Sequence, residues 1–595
     1  MISDKDLLSR QQARQLAQKA KEASHILAGF SQNQIDAVID AVAAAADSES
    51  ETLARMACEE TTYGKVADKI IKNRFASRDV YRFIRPLKTA GIIDEDKERK
   101  IIKVAEPVGV VAAVLPSTNP TSTAIYKVLI SLKGRNSIVL SPHPSAKKCI
   151  CHAAEVMSRA ALAAGAPEGS ICCMTDVSQE GTQELMQDRN VSIILATGGM
   201  GIVRAAYSCG KPAFGVGPGN VPALIERSAN IPKAVLDVIT GKTFDYGLLC
   251  SSEQAIVCET VLKDQVTQEL QKNKAYFLND EEMIALARVV VTPTFGVNPR
   301  IVGKPAPYIA AQAGFQVPPD TSVLVAPLKG VGKEYPLSIE KLSPVLAFYD
   351  LPDFNSALDT AIKLIRFGGM GHTMSMHSQN DQLIREAGLK VPVFRLVINT
   401  PSTHGSVGLT TGLDPAMTLG CGAVGGNITS DNISPMHLVN IKRVAYEIRE
   451  ARQIKYSAEP RQSSADGSLE EKIAGFLTKK GYGLIEAKPE KKTTSEPGLP
   501  VPDHPATSAV SLGEHKIYPI SPTKGPVEPN LTSKRQANPA VSSEKDVIGP
   551  VDFVCEEDVR SALAAKKIIA IHKKTIITPA ARDLASNGNV FKKLE

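Results

Sequence analysis

The sequence has no run of about 18 consecutive apolar residues, so it predicts no helix that spans a membrane. Its ten cysteines include no CxxC pair, which excludes the usual zinc-site spacing and a compact disulfide framework. A net charge of +6, from 69 basic and 63 acidic side chains, is too small to indicate a nucleic-acid or membrane partner. The first residues, "MISDKDLLSRQQARQLAQKAKEA", lack the apolar core of a signal peptide. We therefore expect a reduced, cytoplasmic protein, and 595 residues suffice for two or three domains.

The first third of the chain changes its pattern after Lys100. Residues 7–85 are predicted to be helical, and short apolar runs then alternate four times with amphipathic helices. Continuous apolar strands between helices indicate a parallel sheet that is covered on both faces. The strands end in the small-residue loops "PSTNP", "SPHP", "ATGGMG" and "GVGPGN". Parallel sheets bind ligands beyond the carboxyl ends of their strands, so these loops are predicted to approach a ligand such as a nucleotide.

The rest of the chain divides into further segments. A region of mixed helix and strand spans 226–395, and the segment 395–455 is Gly-rich and then helical. Residues 456–485 include "GSLEEKIAGFLTKKGYG", whose apolar side chains fall on one face of a predicted helix. The Pro-rich composition of 486–545 predicts a disordered linker. Residues 546–595 are predicted to form a helix, a basic strand and a second helix that begins near "TPAARD".

One cysteine stands out by its position. Cys250, in "TFDYGLLCSSEQAIV", lies where a loop with Gly and Asp gives way to an apolar run. A lone cysteine is more often a small core residue than a reactive thiol, because free cysteine is among the most buried residue types and most are inert. The stretch "GVGPGN" lacks the full GxGxxG fingerprint and by itself indicates only a tight turn. The sequence has no P-loop, Ser-His-Asp pattern or metal cluster, so local motifs alone leave the chemistry open.

Seven segments in order carry a resemblance to a known family. They are "PSTNPTSTAIYKVLISLKGRN", "SPHPSAK", "TGGMGIVRAAYSCGKPAFGVGPGNVPA", "FDYGLLCSSEQAIV", "EKLSPVLAFY", "FGGMGHTMSMHS" and "TLGCGAVGGNITSDNISPMHLVNIK". With them, residues 1–455 resemble the CoA-acylating aldehyde dehydrogenases and are similar to the aldehyde dehydrogenase half of bifunctional aldehyde–alcohol dehydrogenases. The resemblance implies an α/β fold with two doubly wound parallel-sheet domains and a small oligomerisation segment. It assigns 1–225, completed by part of 395–455, to an NAD-binding domain, and 226–395 to the catalytic domain.

The resemblance also implies roles for individual residues. Cys250 is the expected nucleophile, whose thiolate attacks the aldehyde to form a thiohemiacetal and then a thioester. Asn119 aligns with the side-chain amide that binds the oxyanion, together with the backbone N–H of Cys250. His372 is a candidate for binding or deprotonating CoA, and a structural histidine in a Gly-rich turn is an equally good interpretation. Four other cysteines are interpreted as structural: Cys58, Cys151, Cys209 and Cys421.

The same alignment implies a nicotinamide site, with NAD as the cofactor and no metal. Glu340 matches the carboxylate that holds the nicotinamide ribose, and a surface carboxylate is the alternative. Gly215 stands where hydrolytic relatives carry a water-activating Glu, whereas a thiol acceptor does not need that help. The missing carboxylate therefore favours CoA as the acyl acceptor. The cofactor-binding residues are expected at Pro116, Ser117, Ser141, Pro142, His143, Thr197, Gly198, Gly199, Gly215, Gly217 and Glu340.

The expected reaction converts a short aldehyde, CoA and NAD into acyl-CoA and NADH, reversibly. Acetaldehyde is the first expectation for the substrate, followed by propionaldehyde and the charged sulfoacetaldehyde. Two alternatives stay open: a hydrolytic aldehyde dehydrogenase that yields the free acid, and an inactive scaffold that recruits partners. The family also implies a homo-oligomer.

The end of the chain resembles segments of other proteins. The stretch "KKIIAIHKKTIITPAARDLA" is similar to a terminal motif in proteins of bacterial microcompartments, and residues 468–482 resemble their encapsulation peptides. The resemblance implies shell or lumen proteins as partners and a location inside a cytoplasmic microcompartment. The alternative is that either helix packs on the enzyme's own surface.

Overall fold

The computed structural model describes residues 4–453 except residue 294, residues 475, 476 and 479, and residues 547–594 except 566 and 586–589. The chain forms two compact units, Met1–Gln462 and Ser463–Glu595. The Pro-rich linker predicted over 486–545 lies outside the described residues. The same holds for the amphipathic helix predicted within 456–485, apart from three helical residues.

The chain begins with helices, as the sequence predicts. The cap of the first helix is Asp4, whose carboxylate accepts the backbone N–H groups of Asp6 and Leu7. The second helix begins with a reciprocal capping box between Ser31 and Gln34. The helices are α1 (Lys5–Ala28), α2 (Gln32–Ser48), α3 (Ser50–Thr61), α4 (Val66–Arg74) and α5 (Tyr81–Ile84), followed by strands β1 (Gly91–Asp96) and β2 (Ile101–Pro107).

The first large sheet is parallel and confirms the predicted alternation of strands and helices. Its strands run in the order β5-β4-β3-β6-β7, so the chain moves outward from β3, returns, and continues on the other side at β6. The loops after β3 and β6 therefore diverge and leave a crevice at the carboxyl ends of these strands. The elements are β3 (Val110–Val114), α6 (Pro120–Lys133), β4 (Ser137–Ser141), α7 (Lys147–Ala163), β5 (Ile171–Cys173), α8 (Gln179–Gln187), β6 (Ile193–Thr197), α9 (Met200–Ser208) and β7 (Ala213–Val216).

A buried lysine joins the two central strands of this sheet. The ammonium group of Lys127, on α6, donates to the carbonyl oxygens of Val114 at 2.7 Å and Leu195 at 2.9 Å. Burial lowers the pKa of Lys127 well below its ordinary value. Its two carbonyl partners satisfy the buried nitrogen and hold β3 and β6 together next to the crevice.

The second large sheet is also parallel, in the order β10-β11-β12-β9-β8-β13-β14. Its apolar side chains pack against helices on both faces, which confirms the predicted α/β class with two parallel sheets. The elements are β8 (Val221–Ile225), α10 (Ile231–Thr243), β9 (Glu253–Glu259), α11 (Lys263–Lys272), β10 (Ala275–Phe277), α12 (Asp280–Val290), α13 (Ala306–Gln312), β11 (Val323–Pro327), β12 (Val345–Leu351), α14 (Phe354–Gly368), β13 (Met374–His377), α15 (Asp381–Lys390) and β14 (Leu396–Ile398).

Two expectations about boundaries are corrected. The division after residue 225 would leave β8 in the first domain, but β8 pairs with β9 and β13 in the second sheet. The segment after the Gly-rich stretch, expected to be helical, contains the strand β15 (Val439–Ala445) after the short helix α16 (Ser402–Gly405). Strand β15 pairs antiparallel with β2, which pairs with β1. The partner strand supplies hydrogen bonds that sequence periodicity does not reveal, and it overrides the local helical preference.

The terminal unit has a small parallel sheet of its own. Its strands are Val547–Val554, Ile568–Ile577 and Phe591–Lys593, and its helices are Glu556–Ala564 and Pro579–Ala585. The structure confirms the predicted order of helix, strand and helix and adds the two outer strands. Side chains such as Val554, Val559 and Ile569 form its core. In the described parts of the chain, no helix is long and apolar enough to cross a membrane.

Candidate active site

A cleft opens at the crevice of the first sheet. A cavity of about 230 Å³ lies at the ends of β3, β6 and β7 and beside the loop that precedes β9. A second cavity of about 510 Å³ extends from it over β4 and α8. Five residues line both cavities, which are therefore parts of one cleft: Pro116, His143, Thr197, Gly198 and Gly199.

Cys250 lies in the wall of the first cavity. It is half-buried and unpaired, and its backbone approaches Gly219 so closely that a Cβ atom there would collide with the Cys250 carbonyl oxygen. Burial, and secondarily the nearby Glu340 carboxylate, raises the pKa of Cys250 to about 12. The backbone N–H of Cys250 acts against this rise without cancelling it. A thiol in this environment needs added positive charge to become a thiolate near neutral pH.

Asn119 lines the same cavity as Cys250. It precedes the first turn of α6 but makes no side-chain capping bond to that helix. Its amide oxygen accepts from the Lys72 ammonium at 2.6 Å, and its amide nitrogen has only long contacts, to Thr118 Oγ1 at 3.2 Å and Leu248 O at 3.4 Å. The amide nitrogen is therefore the weakly engaged end of the side chain and is able to donate to a ligand.

The loop after β6 fits a dinucleotide. Thr197 Oγ1 is buried in the cleft wall with no hydrogen-bond partner in the structure. Gly199, which precedes α9, has no atom within 4 Å of the position where a side chain would begin. The helix α9 has nine residues, and glycine precedes it, so no side chain blocks the approach to its N-terminus. Such a helix N-terminus is a favourable place for a phosphate. The Thr197 hydroxyl lies beside this helix end. Together they are suited to the polar, anionic diphosphate of a nicotinamide dinucleotide.

The cofactor residues expected from the resemblance are distributed unevenly. Ser117 and Gly217 line only the first cavity, and Pro142 lines only the second. The five residues that line both cavities, including Pro116 and His143, are all among the expected ones. Ser141 lines neither cavity, because its buried hydroxyl is bonded to Thr182 Oγ1 at 2.8 Å. It contributes to the cleft only by holding Thr182, which itself lines the second cavity.

Glu340 is the one carboxylate among the described residues that line the first cavity. Its Oε1 atom accepts the backbone N–H of Gly219 at 3.0 Å. Burial raises the pKa of Glu340 to about 7, although this N–H bond acts in the opposite direction. A buried carboxylate with remaining acceptor capacity is suited to the hydroxyl groups of a ribose. The structure thus disfavours the alternative of an ordinary surface carboxylate.

Gly215 lies on β7, outside the cavity lining. A Cβ atom at this position would lie 2.7 Å from Val203 and 3.1 Å from the ring of Tyr207. Its backbone is also engaged, because its N–H donates to Tyr207 OH and its carbonyl accepts from Asn427 Nδ2. A glutamate at position 215 would therefore require the neighbouring side chains to move. The packing leaves no space for a water-activating carboxylate at that point.

His372 is fully buried and does not line either cavity, so its expected direct access to CoA is not seen in the structure. Its Nδ1 lies 3.0 Å from Thr373 Oγ1, and its Nε2 has no hydrogen-bond partner among the described residues. Burial, reinforced by the Arg395 guanidinium, lowers the pKa of His372 to about 3. Gly219 separates this neutral ring from Cys250, because a side chain there would touch both residues. Arg395 holds the turn in place by donating to the carbonyl oxygens of Gly371 and His372.

Sequence reasoning missed the walls of the cavity next to Cys250. They are mostly apolar and come from four distant segments, and no short motif joins these segments in the sequence. The wall residues are Thr123, Leu248, Leu249, Leu342, Val407, Met417 and Leu419.

A cysteine and an amide beside a dinucleotide cleft on a two-sheet α/β fold define an aldehyde dehydrogenase. The model of the "Aldehyde dehydrogenase family" matches residues 2–279, and the chain belongs to this family. More particularly, the chain is 49% identical to an acetylating aldehyde dehydrogenase of Geobacillus thermoglucosidasius. That structure superposes with a TM-score of 0.74, over 76% of this chain and 99% of the other. The resemblance inferred from the seven segments is confirmed.

Two further relatives show the breadth of the match. The bifunctional aldehyde-alcohol dehydrogenase AdhE of Escherichia coli K12 is 43% identical over 435 residues, which are 72% of this chain and 49% of AdhE. The chain thus spans about half the length of this relative. A propionaldehyde dehydrogenase from the fucose utilisation bacterial microcompartment of Clostridium phytofermentans is 29% identical, with a TM-score of 0.66. The match covers 73% of this chain and 97% of that structure.

Proposed function

We propose that the protein oxidises a short, uncharged aldehyde with NAD and transfers the acyl group to CoA, reversibly. The observation that carries this proposal is the common cavity of Cys250 and Asn119, which opens into the cleft that fits a dinucleotide. The relatives described as acetylating support CoA as the acceptor. The inactive scaffold is disfavoured, because a scaffold has no need of a weakly engaged amide beside a half-buried thiol.

The residues at the cavity account for the attack of Cys250 on the aldehyde and for the transfer of the resulting acyl group to CoA. The Cys250 thiolate attacks the aldehyde carbon, and the carbonyl oxygen gains the negative charge that Asn119 Nδ2 and the Cys250 N–H bind. When bound, the oxidised nicotinamide supplies a positive charge and accepts a hydride. Cys250 then carries the acyl group as a thioester. The CoA thiolate attacks this thioester, the same two donors bind the second oxyanion, and the Cys250 thiolate leaves with the C–S electron pair.

Hydrolysis is the less favourable outcome at this site. The free acid requires a base that activates water, and Gly215 leaves no space for a carboxylate at that point. Glu340, the remaining carboxylate of the described cavity wall, accepts the Gly219 N–H with Oε1, and we assign its remaining acceptor capacity to the nicotinamide ribose. A thiol needs less help than water, because its ordinary pKa of about 8.5 leaves a small but strongly nucleophilic thiolate fraction at neutral pH. These features support CoA over water.

The cavity walls support an uncharged aldehyde. Among the described residues that line the cavity of about 230 Å³, none is lysine or arginine. The carboxylate of succinate semialdehyde or the sulfonate of sulfoacetaldehyde would enter an apolar pocket without a counter-charge, which is energetically costly. Acetaldehyde and propionaldehyde carry only a methyl or ethyl group, which the leucine, valine and methionine walls favour. We propose acetaldehyde as the first substrate.

The second cavity supports NAD rather than NADP. Its described lining residues include no lysine or arginine, and His143 is its only titratable side chain. A 2′-phosphate on the adenosine ribose is usually met by a cationic side chain. The uncharged lining therefore favours a ribose with a free hydroxyl.

Initial rates with a panel of aldehydes test the proposed function. We expect NADH formation from acetaldehyde and propionaldehyde only when CoA is present. The ratio of kcat/KM for acetaldehyde over sulfoacetaldehyde or succinate semialdehyde is expected to be at least about 100-fold, because an unpaired charge enters an apolar pocket. Equal rates with and without CoA would establish the hydrolytic alternative. Preference for a charged aldehyde would overturn the substrate assignment.

We propose that the chain forms a homo-oligomer through the sheet of β1, β2 and β15. Apolar side chains on or beside these strands are exposed in the single chain, including Ile92, Tyr446 and Ile448. An apolar edge of this kind is suited to pairing with a second copy. Light scattering is expected to give a multiple of the 63.5 kDa chain mass. A smaller mass for Ile448→Lys supports this interface, and an unchanged mass excludes it.

We also propose that the terminal unit docks the enzyme to shell or lumen proteins of a bacterial microcompartment. The unit has its own core, and Phe553, Leu563 and Ile576 remain exposed on it. Exposed large apolar side chains on a small unit indicate a binding surface. The relative from a fucose utilisation microcompartment supports this interpretation.

Removing residues 460–595 tests the docking role. We expect the shortened chain to keep the full-length kcat/KM for acetaldehyde in vitro, because the described cleft residues all precede this point. Co-purification with microcompartment shells is expected to be lost. A drop in activity on truncation would instead indicate that the terminal segments pack on the enzyme, and retained co-purification would exclude the docking role.

A further inference from the structure

A buried cluster of charges lies behind the candidate oxyanion donor. It consists of Lys69 and Lys72 on α4 and Asp245 in the loop that leads to Cys250, all at most 4% exposed. Both ammonium groups contact the same oxygen, Asp245 Oδ2, and Lys69 does so at 2.9 Å. Burial alone would raise the pKa of Asp245, but the two lysines outweigh burial and lower it. The aspartate is therefore a carboxylate that compensates buried positive charge.

The backbone is shaped to hold Asp245 in this place. Asp245 and Tyr246 both have positive φ angles, 50° and 54°, which non-glycine residues adopt at an energetic cost. Asp245 Oδ1 accepts the backbone N–H of Lys65 at 2.7 Å, and the backbone N–H of Asp245 donates to Asp68. Gly64 permits this contact, because a side chain there would collide with the Asp245 carboxylate. The neighbouring elements thus determine the conformation of the loop at Asp245, five residues before the candidate nucleophile Cys250.

The cluster reaches the Asn119 side chain through one hydrogen bond. Lys72 Nζ donates to Asn119 Oδ1 at 2.6 Å. An ammonium group has three donors and no acceptor, so the end of the Asn119 amide that faces it must be the oxygen. The NH₂ end then points away from Lys72. Without the lysine, the amide could rotate and present its oxygen to the negative charge that it is meant to bind.

We propose that Lys72 is a positioning residue, which fixes the Asn119 amide with its nitrogen toward the oxyanion, and that Asp245 holds Lys72 in place. This inference rests on the proposed function, since it assigns a partner to the oxyanion donor of that reaction. Lys69 supports the carboxylate but donates to the backbone carbonyl of Thr118 instead of the amide. The contact to Asn119 therefore distinguishes Lys72 from its neighbour.

Lys72→Met tests the inference, because methionine keeps a similar length and removes the donor. We expect kcat/KM for acetaldehyde to fall about 10- to 100-fold, less than the loss of the donor itself. The rate of Cys250 alkylation by iodoacetamide and the affinity for NAD are expected to stay unchanged, because neither involves an oxyanion. Lys72→Gln, which keeps a donor, is expected to recover part of the loss and serves as the test variant if Lys72→Met does not fold.

A double-mutant cycle with Asn119→Ala separates positioning from general stability. If Lys72 acts through Asn119, Lys72→Met lowers kcat/KM by less than threefold in the Asn119→Ala background. If the two losses in kcat/KM multiply in the double mutant, the inference is overturned. A Lys72→Met enzyme with wild-type kcat/KM would overturn it as well. The matched control is Lys133→Met, which also removes a buried lysine. Lys133 is bound to Asp36 and to the Arg85 carbonyl, which are distant from it in the sequence. It is expected to lose stability but to keep its kcat/KM within threefold.

The proposed function and the positioning role of Lys72 would be refuted by different results. A wild-type enzyme without CoA-dependent NADH formation from any aldehyde of the panel would refute the proposed function. An active wild type whose Lys72 variants behave like Lys133→Met would refute the positioning role alone.

Discussion

Replacing Cys250 by alanine is expected to abolish aldehyde-dependent NADH formation, with a loss on the order of 10⁴-fold or more in kcat. The reason is chemical, because alanine cannot form the thiohemiacetal or the thioester. Fold and NAD affinity are expected to survive, since Cys250 is half-buried in a cavity wall and forms no disulfide. The measurement combines stopped-flow NADH absorbance with the melting temperature and a titration of NAD.

Cys258→Ala is the matched control for this variant. Cys258 is fully buried on β9, the strand that follows the nucleophile loop. Its truncation is expected to cost about 1 kcal/mol of stability and to leave kcat/KM within threefold. Activity in Cys250→Ala equal to wild type would remove Cys250 from the mechanism. Inactivity in Cys258→Ala with an intact fold would show that the cysteine assignment is not specific.

The alkylation of Cys250 also has an expected pH dependence. Burial raises its pKa to about 12 in the free enzyme, and the reactive thiolate exists only to the extent that the pH approaches that value. Between pH 7 and pH 9 the rate with iodoacetamide is thus expected to rise about tenfold per pH unit, as the thiolate fraction does below the pKa. Peptide mass spectrometry identifies the modified cysteine, and the signal is expected to be missing in Cys250→Ala.

Asn119→Ala is expected to lower kcat about 10²- to 10³-fold, or about 3 to 4 kcal/mol of transition-state stabilisation. The variant keeps the nucleophile and the cofactor loops but loses one of two donors to the oxyanion. Cys250 alkylation is expected to remain at the wild-type rate, because it develops no charge on a carbonyl oxygen. Steady-state kinetics with acetaldehyde and CoA measure the loss, and a kcat within threefold of wild type would exclude Asn119 as an oxyanion donor.

The capping positions of two helices supply the control. Asn119 stands at the start of α6 without a side-chain capping bond, so its replacement removes no cap, but it removes one of the two side-chain acceptors of the buried Lys72 and is expected to cost about 1 to 3 kcal/mol of stability. Asn230 stands at the start of α10 and accepts the backbone N–H of Lys233 at 3.2 Å. Asn230→Ala is expected to cost about 1 kcal/mol of stability and to keep full activity. Both variants are thus expected to lose stability, but only Asn119→Ala is expected to lose catalysis.

Much of the fold could be predicted because it depends on neighbouring residues. Each strand of the first sheet is a continuous apolar run, and each following helix is amphipathic, so their order from 109 to 216 could be read locally. Strand β15 could not, because its backbone partners lie on β2, more than 300 residues earlier. The local pattern there is compatible with helix or strand, and only the pairing selects one.

The candidate site divides in the same way. Cys250 and Asn119 could be proposed from a resemblance carried by several short segments. Ser141 and His372 show the limit of such reasoning, because a place in a matching segment does not tell whether a side chain faces the cleft or the interior. The cavity walls were not predictable at all, since they combine positions around 123, 248, 342 and 407–419.

The sequence by itself determined the class of fold, and the resemblance it carries pointed to the cleft loops and to Cys250 and Asn119 as candidates, since these depend on runs of adjacent residues. Only the tertiary structure decided that Lys72 contacts Asn119, 47 positions away, and Asp245, 173 positions away. A buried lysine, carboxylate and amide are stable only when each meets its partner, and this meeting depends on how helix, loop and sheet pack together. The orientation of the amide, and with it the capacity to bind an oxyanion, is a property of that packing.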